Sequence, residues 1–87
     1  MTNLKEELRN IIADVIEDEE FADTDDFVMN LGVDSMMALE IIAQIEQNYN
    51  ITVSEEYVTR IRSLNEVHEL VVELLESKGA KEEQVNA

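Results

Sequence analysis

The sequence predicts an all-α fold, a small bundle of four helices in which the third is short. Composition is the first indication, because an 87-residue chain with no proline and two glycines lacks the turn residues that a small β-sandwich needs. Apolar residues also recur at helical spacing in three separate segments. With 45% hydrophobic residues and few aromatics, the chain can form one core from Leu, Ile, Val and Met side chains.

The first helix is predicted from Leu4 to Ile16, and Asn3 followed by Glu6 resembles a capping box at its start. The acidic segment after it breaks the helical period, so residues 17–33 are predicted to form a long loop. Apolar side chains of this loop are expected to tuck back onto the bundle: Phe21, Phe27, Val28 and Leu31. A loop of this length inside a compact domain is often functional.

The second helix is predicted from Ser35 to Asn48. Its core-facing side is expected to comprise Ala38, Ile41, Ile42, Ile45 and Tyr49, widened by Met36, Leu39 and Ala43. Met37 lies three residues before Glu40 and seven before Gln44, so helical geometry predicts it on the polar face.

A short third helix is predicted to follow Ser54 as its cap and to end near Ile61. The last helix begins with the capping box of residues 63–66 and continues with one apolar face, Val67, Leu70, Val71 and Leu74. Residues 78–87 have almost nothing to bury and are expected to form a flexible C-terminal tail. One folded domain over residues 1–77 is therefore predicted.

The charge is strongly acidic, with 21 acidic against six basic residues and a net charge of −15. Neither Lys nor Arg occurs between Asn10 and Thr59. Such a surface repels nucleic acid and anionic membranes and attracts basic patches on partner proteins. Since no segment has the length of a signal peptide or a membrane span, the sequence predicts a cytoplasmic, monomeric protein without membrane insertion.

Neither catalysis nor a metal site is predicted. Ser35 lacks the glycine-flanked elbow of a serine nucleophile, and the single histidine, His68, lies within the last helix. Residues 23–34 have acids at the first and third positions of a calcium loop. They fail at the sixth position, Val28 instead of glycine, and at the twelfth, Asp34 instead of glutamate.

Ser35 is the residue whose role the pattern leaves open. Either Asp34 or Ser35 can cap the second helix, which would explain the pair structurally. A helix N-terminus is also a favourable seat for a phosphate ester, and Gly32 can relax the backbone just before it. Met36 and Met37 would add adaptable apolar surface beside the hydroxyl, which suits docking to several partners.

The segment "FVMNLGVDSMMALEIIAQIEQNYNI", residues 27–51, strongly resembles the acyl carrier protein family. The hallmark of that family is an Asp-Ser-Leu motif that opens helix two. The resemblance extends over roughly residues 4–75. It includes the lead-in Phe27, Val28, Leu31 and Gly32, the acid Glu40 and the acidic third-helix entry at residues 54–56.

The resemblance implies a non-catalytic carrier with 4′-phosphopantetheine on Ser35. A separate transferase would move the arm from coenzyme A with magnesium, and Asp34 would support that reaction. An acyl group would ride on the terminal thiol as a thioester between enzymes of fatty-acid, lipid or polyketide-type synthesis. Basic patches on the transferase and on these acyl-processing enzymes would meet a partner-binding surface of Met36, Met37, Glu40 and Glu46.

Several departures from the family pattern indicate a specialised carrier rather than the housekeeping fatty-acid one. Met36 replaces the usual leucine, and Met37 stands where fatty-acid carriers commonly have an acid. The loop after the first helix is shorter than in the common bacterial fatty-acid type, and no proline precedes the third helix. Arg60 and Arg62 add positive charge near the end of the third helix. Two alternatives stay open. One is an aminoacyl carrier such as the D-alanyl type, which can also show Asp-Ser-Met, and the other is an acidic interaction module with Ser35 only a helix cap.

Overall fold

Four helices follow one another in the computed structural model of this chain, which describes residues 3–86 and the side chains of residues 3–78. They are α1 (Leu4–Ile16), α2 (Ser35–Tyr49), a 3₁₀ helix (Glu55–Arg60) and α3 (Leu64–Asn86). Residues 3–86 contain no strand. The predicted all-α bundle with a short third helix is therefore confirmed.

Helix α1 packs against both α2 and α3 and forms the centre of the bundle. It starts as predicted, because the Asn3 side-chain oxygen accepts a hydrogen bond of 2.8 Å from the Glu6 amide. It ends at Glu17, whose backbone is left-handed with a φ of 58°. The side chains of Leu8 and Ile12 are fully buried against the other helices.

The core is mainly aliphatic, as the composition predicts, but it also contains two phenylalanines, and within residues 3–78 no methionine is among its fully buried members. Its other buried members come from the loop before α2, from α2, from the connector after α2 and from α3: Phe21, Phe27, Val33, Ile41, Ile45, Ile51, Leu64, Val67 and Val71. A hydrogen bond joins the C-terminal end of α2 to α1, because the Tyr49 hydroxyl donates to Glu7 Oε1 over 2.9 Å. Burial, together with the Glu7 carboxylate, raises the pKa of Tyr49 to about 12.

The loop between α1 and α2, residues 17–34, is called the long loop below. Phe21 and Phe27 are buried in it and Leu31 is half-buried, as expected. The burial expected for Val28 is wrong, because 66% of that residue is exposed. The cause is a turn in which the Asp26 carboxylate accepts hydrogen bonds from the amides of Val28 and Met29, leaving both side chains outside.

The orientation of α2 differs from the predicted one. Met37 is half-buried against the core, so its placement on the polar face is wrong. Met37 precedes Ile41 and Ile45 by four and eight residues, so the three side chains share the face of α2 that packs into the core. Met36 and Leu39, which were expected to widen the core side, are 80% and 58% exposed.

The second half of the chain is closer to prediction. The Ser63 hydroxyl and Glu66 form the predicted capping box of α3, at 3.4 Å. Ser54 lies at the N-cap position of the 3₁₀ helix as predicted, but its side chain makes no capping hydrogen bond. Helical backbone in α3 continues to Asn86. The flexible tail predicted for residues 78–87 stays a prediction, since residue 87 and all side chains after residue 78 lie outside the described part.

Candidate functional site

Ser35 is the first residue of α2 and is exposed, while Asp34 is the cap. Asp34 has extended backbone, and its Oδ1 accepts a hydrogen bond of 2.9 Å from the Met37 amide. Its carbonyl accepts from the Ala38 amide, also at 2.9 Å. Among residues 3–78, the Ser35 hydroxyl takes part in no hydrogen bond. Capping is thus the work of Asp34, and the Ser35 hydroxyl is free to react.

The start of α2 suits an anionic substituent on that hydroxyl. The amides of Ser35 and Met36 belong to the first helical turn, where an α-helix has no intrahelical acceptor for them. Within the described residues no side chain satisfies them. Unpaired amides together with the positive end of the helix dipole stabilise negative charge. The residues present therefore fit a phosphodiester attached at Ser35.

The backbone that leads to Ser35 is fixed by buried anchors. The Val33 amide donates to the Phe27 carbonyl over 2.8 Å, and the Phe27 amide donates to the Arg62 carbonyl over 2.8 Å. Val33 and Phe27 are themselves buried. Gly32 lies between them with a φ of 67°, and no atom lies within 4 Å of the position that a Cβ would take. Glycine is needed there for its backbone conformation and not for space.

A second support is the Asp26 turn, defined here as residues 26–31. The amides of Asn30 and Leu31 donate to the Asp26 carbonyl, and the Asp26 amide donates to Asn30 Oδ1 over 2.8 Å. Arg62 pairs with Asp26 Oδ2 at 3.2 Å. The hydrogen bond from the Met29 amide, helped by the Val28 amide and Arg62, lowers the pKa of the Asp26 carboxyl. Sequence reasoning missed this turn, although aspartate is a known turn residue because its side chain can accept hydrogen bonds from the amides two and three residues later.

A third support joins the long loop to α1. The Asp23 carboxylate pairs with Arg9 and, at 3.1 Å, with Lys5. The Arg9 side chain also lies over the Phe21 ring, 4.4 Å from its centroid. The hydrogen bonds from Arg9 and then Lys5 lower the pKa of Asp23. The long loop is therefore attached by ion pairs both to α1 and to the segment before α3.

The exposed apolar side chains cluster around Ser35 in sequence. Within residues 3–78, the large hydrophobic residues that are exposed lie before it in the long loop and after it in the first turns of α2: Val28, Met29, Met36 and Leu39. Of the predicted partner-binding residues, Met36 and Glu40 are exposed, whereas Met37 is half-buried. Glu46 is also half-buried, and its Oε2 accepts a hydrogen bond of 2.8 Å from the Val53 amide. The carboxylate of Glu46 thus has a structural role that the sequence did not reveal.

Other functional arrangements find little support in the geometry. His68 is half-buried on α3, and no hydrogen bond in the described part links it to Ser35. Among residues 3–78 no three acidic, histidine or cysteine side chains converge as metal ligands would. No helix in the described range is both long and apolar enough to cross a membrane.

Comparison with known proteins places these features in a family. Residues 6–71 match the family model described as "Phosphopantetheine attachment site". The chain is 41% identical over 73 residues to polyketide-8 synthase acyl carrier protein 2 of Streptomyces avermitilis, covering 82% of this chain and 84% of that one. It is 34% identical over 67 residues to an acyl carrier protein of Streptomyces coelicolor, with coverage of 74% and 73%. Polyketide-8 synthase acyl carrier protein 1 of S. avermitilis is 30% identical over 71 residues, with coverage of 79% and 84%.

Proposed function

Because this chain belongs to the acyl carrier protein family, we propose that Ser35 is the residue that bears its prosthetic arm. Carriers of this family are not enzymes, and their covalent cofactor is 4′-phosphopantetheine. The observation that carries the assignment to Ser35 is its free, exposed hydroxyl at the start of α2, with the capping role taken by Asp34. That division of roles also weakens the alternative in which Ser35 serves only as a cap.

The attachment reaction makes specific demands on these residues. The Ser35 oxygen attacks the phosphate of coenzyme A that bears the pantetheine arm, so an O–P bond forms at Ser35. The pyrophosphate P–O bond breaks, adenosine 3′,5′-bisphosphate leaves, and the hydroxyl proton passes to a base of the transferase. Asp34 is the acid of this chain that would lie beside the magnesium of the transferase, and its Oδ1 also accepts the Met37 amide hydrogen bond that caps α2. The product phosphodiester then lies beside the unpaired amides of the first helical turn.

The arm supplies a thiol to a chain that has no cysteine. An acyl group held on that thiol as a thioester can be passed between enzymes that never contact one another. Two of the similar proteins carry polyketide synthase in their names, and this favours a polyketide-type acyl chain as cargo over a fatty-acid or aminoacyl one. We place the carrier in the cytoplasm, where coenzyme A is available, and expect it to act as a monomer.

Partner enzymes would recognise the acidic face around Ser35 through basic patches. The exposed partner contacts in this proposal are Met36 and Glu40, and Leu39 joins them because it is exposed on the same helix. Met37 and Glu46 are half-buried, so only the exposed part of each side chain would belong to the proposed surface. Exposed charges are largely screened beyond about 8 Å at physiological salt and at shorter range as salt is added, so transfer rates should fall as ionic strength rises.

The missing cysteine allows a direct test of the proposal. The apo chain should show no thiol toward a maleimide reagent. After incubation with coenzyme A, magnesium and a broad-specificity phosphopantetheinyl transferase, it should show one. The Ser35→Ala variant should show none after the same treatment. If the variant gained a thiol equally, the arm would be attached to a residue other than Ser35. If the folded parent chain gained no thiol, the acidic interaction module would be the better interpretation.

A further inference from the structure

The Asp26 turn presents two neighbouring apolar side chains to solvent. Val28 is 66% exposed and Met29 is 79% exposed, although the chain buries Phe27 directly before them. Scattered exposed hydrophobic residues are ordinary in soluble proteins. These two, however, are adjacent, and they share their part of the chain with the modification site. An apolar contact of this kind beside a site of modification suggests a surface for a protein partner.

The turn orders the backbone that carries these two side chains. The Asp26 carboxylate accepts the Val28 and Met29 amides, each at 2.9 Å, and Arg62 holds the other carboxylate oxygen. The Asp26 amide is satisfied in return by Asn30. A contact surface that is already ordered loses little conformational entropy on binding. The polar interactions of the turn therefore order a segment in which Phe27 is buried while the next two side chains, Val28 and Met29, are exposed.

The position of the turn distinguishes among possible partners. The hydrogen bond between the Phe27 carbonyl and the Val33 amide brings the start of the turn next to the residues that enter α2. A transferase must carry the phosphate of coenzyme A to the Ser35 oxygen itself, so it has to cover the chain immediately around Ser35. Enzymes that act on the thioester work at the far end of the arm and can dock at a greater distance. The turn is thus best placed for the transferase.

The surrounding charge indicates the chemistry of the complementary surface. No lysine or arginine occurs between Asn10 and Thr59, and Asp34 and Glu40 are exposed on either side of Ser35. Arg62 does lie at the turn, but its charge is paired with that of Asp26. A partner with basic side chains around an apolar recess would match both properties.

We propose that the Asp26 turn is a docking contact for the phosphopantetheinyl transferase, which would seat Val28 and Met29 in an apolar recess rimmed by lysine or arginine side chains. This inference rests on the proposed function of Ser35 as the attachment site. It assigns to the long loop a recognition role separate from that of the α2 surface.

The test is a steady-state measurement of arm transfer to the apo chain with a broad-specificity transferase, followed by intact mass. The double variant Val28→Ser/Met29→Ser removes the apolar surface, and Met29→Gln changes polarity at similar length. Ala22→Ser/Thr24→Ser is the matched control, since it introduces two serines at exposed positions of the same loop. Thermal unfolding of each variant establishes that the fold is retained, as exposed side chains predict.

We expect the double variant to raise the KM for the carrier on the order of fivefold, with kcat unchanged, because interface anchors contribute to binding. Met29→Gln should raise it less, and the control should match the parent. An unchanged KM in both variants would overturn the docking role. A fall in kcat at unchanged KM would also overturn it, because the turn would then act by positioning Ser35. If the parent chain accepted no arm at all, the proposed function would fail, and this inference with it.

Discussion

Two connectors of this protein each lead to an exposed serine at the start of a helix. The long loop leads to Ser35 and α2, and the short connector, residues 50–54, leads to Ser54 and the 3₁₀ helix. The long loop buries two phenylalanines and Val33, whereas the short connector buries only Ile51 and the 3₁₀ helix buries nothing. A serine that must meet an enzyme in a defined orientation needs more than exposure. The comparison shows that the loop leading to Ser35 is anchored by more buried side chains than the connector leading to Ser54.

The largest expected effect concerns the hydrophobic anchor of the long loop. Phe27→Ala removes a ring that is 2% exposed and should lower the free energy of unfolding by about 3 kcal/mol or more. The corresponding change in the 3₁₀ helix, Tyr57→Ala, acts on a half-buried ring and should cost about 1 kcal/mol. Urea denaturation of both variants measures the difference. Equal losses would contradict the view that the long loop is anchored more firmly than the 3₁₀ helix.

The two methionines after Ser35 extend the comparison to α2. Met37→Glu places a charge on a side chain packed against the core and should cost about 2 kcal/mol of stability. Met36→Glu acts at an exposed position and should change stability by less than about 0.5 kcal/mol. Chemical denaturation of the pair tests the observed helix orientation. Greater destabilisation by the Met36 change would restore the orientation that the sequence predicted.

Gly32 tests the backbone of the long loop without changing its packing. Gly32→Ala should cost about 1–2 kcal/mol, because the left-handed conformation is strained for an L side chain while the surrounding space is open. Gly32→Asn should cost less, since asparagine tolerates this conformation better. Melting of the two variants under identical conditions compares them. If alanine were tolerated as well as asparagine, the loop would not require the observed φ.

The ion pairs of the long loop give the smallest and most specific effect, which depends on pH. The pKa values of Asp23 and Asp26 are lowered in the folded state, so their stabilisation is present above the ordinary value of 3.8 and disappears as pH falls through the lowered values. Asp23→Asn/Asp26→Asn should therefore be less stable than the parent at pH 7, and the difference should shrink below about pH 4.

A charge-matched control separates these local interactions from relief of the overall negative charge. Asp14→Asn/Glu20→Gln also removes two acids, at exposed positions in α1 and the long loop. The control should not reproduce the loss of stability at neutral pH. Identical pH dependence in the two double variants, measured by denaturation from pH 3 to pH 7, would show that the effect comes from net charge alone.

The helices were predictable because their signals are local. The Asn3 cap and the apolar stripe of α1 give its bounds directly, and the capping box at Ser63 gives the start of α3. Which face of α2 is buried could not be predicted in the same way. Several of its apolar residues are exposed, and only packing against the rest of the core determines which ones. Met37 illustrates this, since its neighbours Glu40 and Gln44 suggested the opposite face.

The candidate site divides in the same way. Ser35 and Asp34 could be identified from their motif. The Asp26 turn has a local signal in its aspartate, but its attachment to the bundle could not be predicted, because that attachment depends on a hydrogen bond and an ion pair with Arg62, which lies 36 positions further along the chain. Long-range pairs of this kind have no periodic signature. The hydrogen bond from the Val53 amide to Glu46 Oε2 spans only seven positions, but it forms where the chain turns after α2 and so has no periodic signature either.

The most direct test of the central claim compares the serines that the two connectors present. Parent, Ser35→Ala and Ser54→Ala chains would be incubated with coenzyme A, magnesium and a broad-specificity phosphopantetheinyl transferase, and the modified peptide would be located by fragmentation mass spectrometry. The account predicts one phosphopantetheinyl group at Ser35 in the parent and in Ser54→Ala, and none in Ser35→Ala. Modification that persists in Ser35→Ala, or maps to Ser54, would contradict it.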